Sequence, residues 1–166
     1  MVSLEIGSEK KIDITPEEIR SIRSIGEWEF LSISTEELVD TTESHFFGDK
    51  QLVRIYNGTL RLGINLKKTK EDWVRAYGDT VYVKLPPIEL LDKNFINETR
   101  TRPFFEKGNW DGKAREALYR KAQQQMIARC VTPQTLKEAQ ENAITQFSSL
   151  FRAFGFNVIK ISFLQK

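Results

Sequence analysis

Apolar residues recur at every second position through much of the first hundred residues, a pattern typical of β-strands. The run Trp28–Ser44 alternates in this way and predicts a long strand, bulged near Glu36. Ser34-Thr35-Glu36-Glu37 also has the composition of a helix start, so a helix from Ser34 is the alternative. Gly48-Asp49-Lys50 predicts the turn that follows.

The clearest local pattern predicts a β-hairpin. Leu52–Tyr56 and Thr59–Ile64 flank Asn57-Gly58, which tolerates the two positive φ angles of a type I′ turn. Because side chains alternate along a strand, Arg54 and Arg61 are expected on the wetter face of this hairpin.

A second hairpin is predicted from Trp73–Tyr77 and Thr80–Leu85, which flank Gly78-Asp79. Pro86-Pro87 ends its second strand, because proline has no N–H to donate to a neighbouring strand. Ile88–Phe95 predicts a further strand or a turn.

Three helices are predicted. Thr15-Pro16-Glu17-Glu18 forms a capping box and starts a short helix that ends at Gly26. After Asp111 the apolar period changes to three and four residues, and one stripe consists of Ala114, Ala117, Leu118, Ala122, Met126 and Cys130. Thr132-Pro133 breaks this helix and caps the next, whose stripe consists of Leu136, Ala139, Ala143, Phe147, Leu150 and Phe154. Gly155 ends it, and Val158–Phe163 predicts a final strand.

This order of elements predicts an α+β fold. We expect a mainly antiparallel sheet built from hairpins, two consecutive C-terminal helices packed on it, and a final strand that returns to the sheet. The chain is predicted to be a single domain over residues 1–166. Its predicted parts are an arm or edge strand over 1–14, a short helix over 15–26, mostly β structure over 27–98, two helices over 111–154 and the final strand over 157–164.

Composition excludes several chemistries. The chain has 166 residues but only one cysteine, Cys130, and one histidine, His45. An intramolecular disulfide and a zinc site of the Cys/His type are therefore ruled out, and we predict no metal site, no cofactor and no catalytic residue. Cys130 lies on the apolar stripe and is expected to be buried and inert, and His45 is expected in a turn. No run of 18 apolar residues and no signal-peptide core are present.

Three adjacent carboxylate pairs are the remaining candidates for acid–base chemistry: Glu17 with Glu18, Glu36 with Glu37, and Glu71 with Asp72. Adjacent residues do not face each other on a helix, whereas acidic residues suit the first turn of one. We therefore favour capping over catalysis for these pairs.

The net charge of +2 hides a segregation along the chain. Residues 1–49 carry four basic and twelve acidic side chains, whereas residues 100–129 carry eight basic and three acidic ones. The candidate basic surface patch, interleaved with aromatic residues, consists of Arg100, Arg102, Lys107, Lys113, Arg120 and Lys121. Such a patch suits anionic lipid headgroups, a nucleic-acid strand or an acidic partner. The alternative, which we favour, is a solvated helix face with an i,i+4 pair between Glu116 and Arg120.

Four segments resemble the domain-of-unknown-function family 4230: Ile22–Glu27, Gly58–Leu66, Val81–Leu91 and Phe154–Ile161. The resemblance covers Ile19 to Phe163 and departs at Asn65 and at Arg100–Pro103. These motifs are structural, so no activity and no catalytic residue are carried over. The family is bacterial and commonly carries an N-terminal hydrophobic anchor, which implies that this chain is the soluble part of a membrane-anchored protein; without an anchor it would be cytoplasmic.

The sequence therefore predicts a non-enzymatic interaction or scaffold domain, with an unknown protein or an anionic surface as its partner. Two alternatives remain. One is a small hydrolase or ligand-binding enzyme that uses carboxylates from separate strands, and the other is binding of nucleic acid or an anionic surface through residues 100–129. Nucleic acid is the less expected partner, and membrane association is expected only through a segment absent from this chain.

Overall fold

The structure is a computed structural model that describes residues 14–165. The predicted arm or edge strand over residues 1–14 therefore lies almost wholly outside the described residues. The elements are α1 (Pro16–Ser24), β1 (Glu27–Glu43), β2 (Lys50–Asn65), β3 (Val74–Tyr77), β4 (Thr80–Leu85), β5 (Glu89–Leu90), β6 (Ile96–Lys107), α2 (Gly112–Cys130), α3 (Pro133–Ala153) and β7 (Val158–Phe163). Strands followed by two consecutive helices and a last strand confirm the predicted α+β class.

The strands form two sheets. In one, β2 lies between β1 on one side and both β5 and β6 on the other; the second has the order β3-β4-β7. The described chain also forms two compact units: the first consists of the residues up to Leu31, Leu62–Leu91 and those from Leu136 on, and the second consists of Ser32–Arg61 and Asp92–Thr135. Both are discontinuous in sequence, and the single domain stays a prediction.

Helix α1 starts at the predicted capping box. Thr15 Oγ1 accepts a hydrogen bond from Glu18 N at 3.2 Å and donates one to a Glu18 carboxylate oxygen at 3.1 Å. The helix ends at Ser24, and Gly26 follows with a φ of 82°, a conformation that glycine adopts without strain. Both predicted ends are confirmed.

Strand β1 settles the choice between strand and helix for Trp28–Ser44. All 17 residues from Glu27 to Glu43 are extended. Between Ser32 and Leu38 every second side chain is exposed and those between are half-buried, as expected for a strand with one covered face.

The predicted hairpin at Asn57-Gly58 is wrong, because β2 runs without interruption from Lys50 to Asn65. Gly58 serves close packing instead of a turn: an added Cβ would lie 3.1 Å from Met126 Sδ of α2 and 3.2 Å from Phe95 O. A glycine in a strand can thus mark close approach as well as a turn, and the local pattern does not separate the two.

The second hairpin is confirmed. Strands β3 and β4 pair antiparallel from Val74↔Val83 to Tyr77↔Thr80, and β4 stops at Leu85 before the two prolines. The final strand also forms, but it joins β4 in parallel register, with Val81 opposite Ile159.

Strand β6 extends nine residues beyond the predicted β region, which ended at residue 98. After the buried Ile96 its side chains are almost all exposed, so the segment has no apolar alternation to reveal it. It pairs with β2 through two register shifts, and Pro103 lies opposite Arg54. Proline and register shifts are tolerated there because β6 pairs on only one side among the described strands.

Each of the two long helices contributes one buried stripe to the core of one unit. In the second unit, α2 buries Leu118, Ala122, Met126 and Cys130 as predicted, although Ala117 of the predicted stripe is exposed. In the first unit, α3 buries Ala139, Ala143, Phe147 and Phe151. Phe151 takes the place expected for Phe154, because the buried stripe continues at four-residue steps.

Replacing Asp111 by alanine is expected to destabilise the second unit by about 1 kcal/mol. Asp111 is the N-cap of α2, and its carboxylate accepts a hydrogen bond from Ala114 N at 2.8 Å. Equilibrium urea unfolding measures the loss. Asp111→Asn keeps an accepting oxygen and should retain most of the stability, whereas equal losses in both variants would contradict a capping role.

Candidate functional site

The candidate basic patch lies on two elements of the second unit. Strand β6 carries Arg100, Arg102 and Lys107, and helix α2 carries Lys113, Arg120 and Lys121. All six side chains are exposed. The two elements are joined by an ion pair between Arg115 of α2 and Glu106 of β6.

Three of the six cations have local partners. Arg102 pairs with Glu36 at 3.3 Å, Arg120 pairs with Glu116 at 2.7 Å, and Lys121 donates a hydrogen bond to Asp40 O at 2.6 Å. No ion pair involves the other three within residues 14–165. Exposed pairs of this kind contribute under about 1 kcal/mol each, but they place negative charge inside the patch. The patch is therefore mixed in sign, and its binding role stays a prediction.

The single histidine and cysteine have structural surroundings. His45 lies in the turn after β1, exposed, with Nε2 at 3.1 Å from a Glu43 carboxylate oxygen; this hydrogen bond holds the pKa of Glu43 below its ordinary value. Cys130 is buried, and burial raises the pKa of its thiol. A thiol of raised pKa is a poor nucleophile at neutral pH.

Only Glu17 and Glu18 lie at a helix start, so the capping interpretation is wrong for Glu36 and Glu37, which lie on β1, and for Glu71 and Asp72, which precede β3. Five of the six carboxylates nevertheless have partners within residues 14–165. Glu18 belongs to the Thr15 cap, and the remaining ion pairs are Glu17–Arg20, Glu36–Arg102, Glu37–Arg129 and Asp72–Arg75. Within residues 14–165 no group of three or more His, Cys, Asp or Glu side chains is placed to hold a metal ion.

A pocket of about 520 Å³ in the second unit lies where α2 packs over β2 and β6, and we call it the Tyr56 pocket. It is lined by Arg54, Tyr56, Glu98, Thr101, Arg115, Glu116 and Tyr119. The rings of Tyr56 and Tyr119 meet edge to face, with centroids 6.2 Å apart. Burial is the main cause that raises the pKa of both phenols, so both stay protonated at neutral pH.

Two buried polar atoms at this pocket have no hydrogen-bond partner among the described residues. They are Arg54 Nε and Tyr56 Oη, and the Tyr56 side chain is only 1% exposed. The Arg54 guanidinium lies 5.9 Å from the centroid of the Tyr56 ring. Buried groups of this kind are normally satisfied in native proteins, so their clustering at one pocket points to a ligand or to ordered water.

The sequence pattern does not reveal this pocket, although it places Arg54 on a strand and Glu116 on a helix. Arg54 and Tyr56 are two apart on a strand, and Arg115 and Tyr119 are four apart on a helix, so each pair shares a face. The sequence shows this spacing. However, the predicted hairpin at Asn57-Gly58 placed Arg54 on a solvent-exposed face, and no neighbouring residue indicates that α2 covers Arg54.

Exposed aromatic rings form a further feature of the second unit. The aromatic surface consists of Phe46 and Phe47, and Phe104 and Phe105 of β6 are exposed as well. Phe46 and Phe47 are 96% and 97% exposed and contact each other edge to face at 5.1 Å. Their turn leads into Lys50 and Gln51, and Gln51 lies opposite Lys107 on β6. The two aromatic pairs are thus carried at the same end of the β2–β6 ladder.

Lys50 begins β2 directly after the turn that carries Phe46 and Phe47. Its Nζ is 4.7 Å from the centre of the Trp110 ring and 3.5 Å from a Glu43 carboxylate oxygen. Trp110 Nε1 donates a hydrogen bond to Lys107 O at 3.1 Å. The surroundings of the exposed rings therefore combine apolar area, amphipathic side chains and charges of both signs.

Comparisons with known proteins identify a family and no activity. Within residues 14–165 no helix has the length and apolar character needed to cross a membrane. A search of curated proteins finds no match, and a search of solved structures finds none either. A family model matches residues 20–161, most of the chain. The chain therefore belongs to DUF4230, a family described as protein of unknown function.

Proposed function

We propose that the chain is a non-enzymatic interaction domain of a membrane-tethered bacterial protein. We further propose, beyond the expectation that only a segment outside this chain reaches the membrane, that the aromatic surface itself contacts the bilayer. The observation that carries this proposal is the almost complete exposure of Phe46 and Phe47 at a turn. Large apolar side chains exposed together mark interaction sites more often than chance.

The energetic argument rests on apolar area. Transfer of a phenylalanine side chain from water to an apolar environment lowers the free energy by about 1.5–3 kcal/mol. Phe46 and Phe47 contact each other and otherwise remain in solvent, so most of this free energy is still to be gained. Two rings that project from one turn can insert among the hydrocarbon chains of a bilayer. Lipid chains are fluid and surround the rings, so no preformed groove is needed. Trp110 and Lys50 add amphipathic side chains of the kind that favour the headgroup level.

The charges near the turn favour insertion over electrostatic attraction. Glu43 and Asp49 flank the two rings, so anionic headgroups gain little from the turn itself. Binding through Phe46 and Phe47 should therefore depend weakly on salt. Binding through the basic patch should weaken steeply with salt, because its charges are screened over about 10 Å at 0.1 M salt. Salt dependence thus separates the two modes.

Replacing Phe46 and Phe47 together by serine is expected to abolish association with membranes. The full chain should float with vesicles of phosphatidylcholine and phosphatidylglycerol, and the bound fraction should change little between low and physiological salt. The double variant should stay at the bottom of the gradient, because it loses the only apolar area that the turn offers. Vesicle flotation measures both.

The matched control replaces Tyr77 and Tyr82 by serine. These rings form an exposed aromatic pair in the first unit, with centroids 5.9 Å apart, and their loss should leave flotation unchanged. The proposal fails if the wild-type chain does not float, if both double variants lose binding equally, or if moderate salt releases the wild-type chain.

A further inference from the structure

We propose that the Tyr56 pocket binds the carboxylate group of a small organic acid. This goes beyond the proposed membrane contact, which uses different residues. The site is built from three elements of the second unit: β2 supplies Arg54 and Tyr56, β6 supplies Thr101, and α2 supplies Arg115 and Tyr119.

The donors determine which chemistry the pocket accepts. Guanidinium groups donate only, and a planar guanidinium edge matches the two oxygens of a carboxylate. The phenols of Tyr56 and Tyr119 are protonated at neutral pH and donate as well. Arg54 Nε and Tyr56 Oη have no hydrogen-bond partner within residues 14–165, but both atoms are closed off from solvent, so a carboxylate reaches them only after the Arg54 side chain has moved.

The charge of the pocket favours one negative charge on the ligand. Arg115 is already paired with Glu106, and Glu116 is paired with Arg120. Arg54 has no ion pair with any residue from 14 to 165, whereas Glu98 brings a carboxylate to the same lining. A dianion such as phosphate would double both its attraction to Arg54 and its repulsion from Glu98, so a second negative charge brings little gain. The preference for a carboxylate over phosphate therefore rests on the apolar walls and on the planar match between a carboxylate and a guanidinium group.

The side chains that line the pocket determine the size and polarity of the rest of the ligand. The two tyrosine rings, set edge to face, offer apolar area beside the donors. The volume of about 520 Å³ is within the range of small-molecule sites. Binding requires a rotamer change of the half-buried Arg54 side chain that turns its guanidinium donors toward the ligand. A compact acid with an aromatic or aliphatic body fits these features.

The test titrates the full chain with hydrocinnamate and measures binding by isothermal titration calorimetry. Two further probes separate the chemistry: phenethylamine keeps the ring but replaces the carboxylate by an ammonium group, and inorganic phosphate keeps the negative charge without the apolar body. We expect saturable binding of hydrocinnamate, and at least about tenfold weaker binding of both other probes.

Two variants assign the site. Arg54→Gln should weaken binding by at least about tenfold, and Tyr56→Phe, which removes only the hydroxyl, by roughly three- to tenfold. Arg75→Gln and Tyr82→Phe are matched controls in the first unit and should bind as the wild type does. Thermal unfolding checks the fold of every variant, and Tyr56→Phe should unfold at the same temperature or higher, because its hydroxyl has no partner to lose.

Several outcomes would overturn the proposal. They are absence of saturable binding to the wild type, unchanged affinity in folded Arg54→Gln, and binding of phosphate or phenethylamine as tight as that of hydrocinnamate. Vesicle flotation of the same variants should match the wild type, so failure here leaves the membrane proposal standing.

Discussion

Replacing Phe147 by alanine is expected to lower the free energy of unfolding of the first unit by about 3–5 kcal/mol. Phe147 is fully buried, and its ring lies 4.9 Å from that of Trp28, 6.5 Å from that of Trp73 and 6.5 Å from that of Phe151. Truncation would remove this central ring and leave a cavity between large side chains that cannot all move inward. Equilibrium urea unfolding followed by tryptophan fluorescence measures the loss, because two of the three tryptophans contact the ring.

The control for this variant is Ile144→Ala on the same helix. Ile144 is 40% exposed, so its truncation should cost less than about 1 kcal/mol. Comparable losses in the two variants would mean that α3 stabilises the unit through helix formation alone, and the aromatic cluster would lose its assigned role.

Replacing Gly63 by alanine is expected to destabilise the first unit by more than about 3 kcal/mol, although only one methyl group is added. The new Cβ would lie well inside van der Waals distance of Trp28 O and 2.8 Å from Leu91 Cδ1. A backbone carbonyl in a sheet cannot turn away as a side chain can, so β1 and β2 would have to separate locally. Loss of the near-ultraviolet circular dichroism of the tryptophans, or a large fall in the urea midpoint, would show this.

Gly112→Ala is the matched control. Gly112 opens α2, and an added Cβ there meets no heavy atom within 4 Å. Alanine is the better helix former by about 1 kcal/mol in a helix interior, so this variant should be neutral or slightly more stable. A destabilised Gly112→Ala, or an unaffected Gly63→Ala, would contradict the packing argument.

The sequence predicted correctly those helix ends, strand ends and turns that are determined by residues a few positions apart. The Thr15 cap, the Gly78-Asp79 turn, the stop at Pro86 and the break at Thr132-Pro133 all depend on neighbours in sequence, and all form. The predictions failed where distant residues decide. Gly58 is a packing glycine because Met126 approaches it, and β6 is a strand because β2 supplies its hydrogen bonds.

The basic patch and the Tyr56 pocket also combine features set by neighbouring residues with features set by distant ones. The sequence showed that Arg100, Arg102 and Lys107 belong to a basic stretch, but the ion pair from Glu36 to Arg102 depends on the pairing of strands. Arg54 and Tyr56 looked like ordinary strand residues. Their interest comes from burial under α2 without a hydrogen-bond partner, and the sequence of β2 alone contains no sign of that.

The parallel pairing of β7 with β4 has a consequence for synthesis in the cell. Asn157, just before β7, donates its backbone N–H to Asp79 O across a separation of 78 positions. A ribosome adding about 5–20 residues per second needs several seconds to reach β7 after β4 has been made. During that time β4, with the apolar residues Val81, Val83 and Leu85, lacks its last neighbour and can pair with another chain. Nascent and C-terminally shortened chains are therefore expected to be the forms that chaperones and proteases meet.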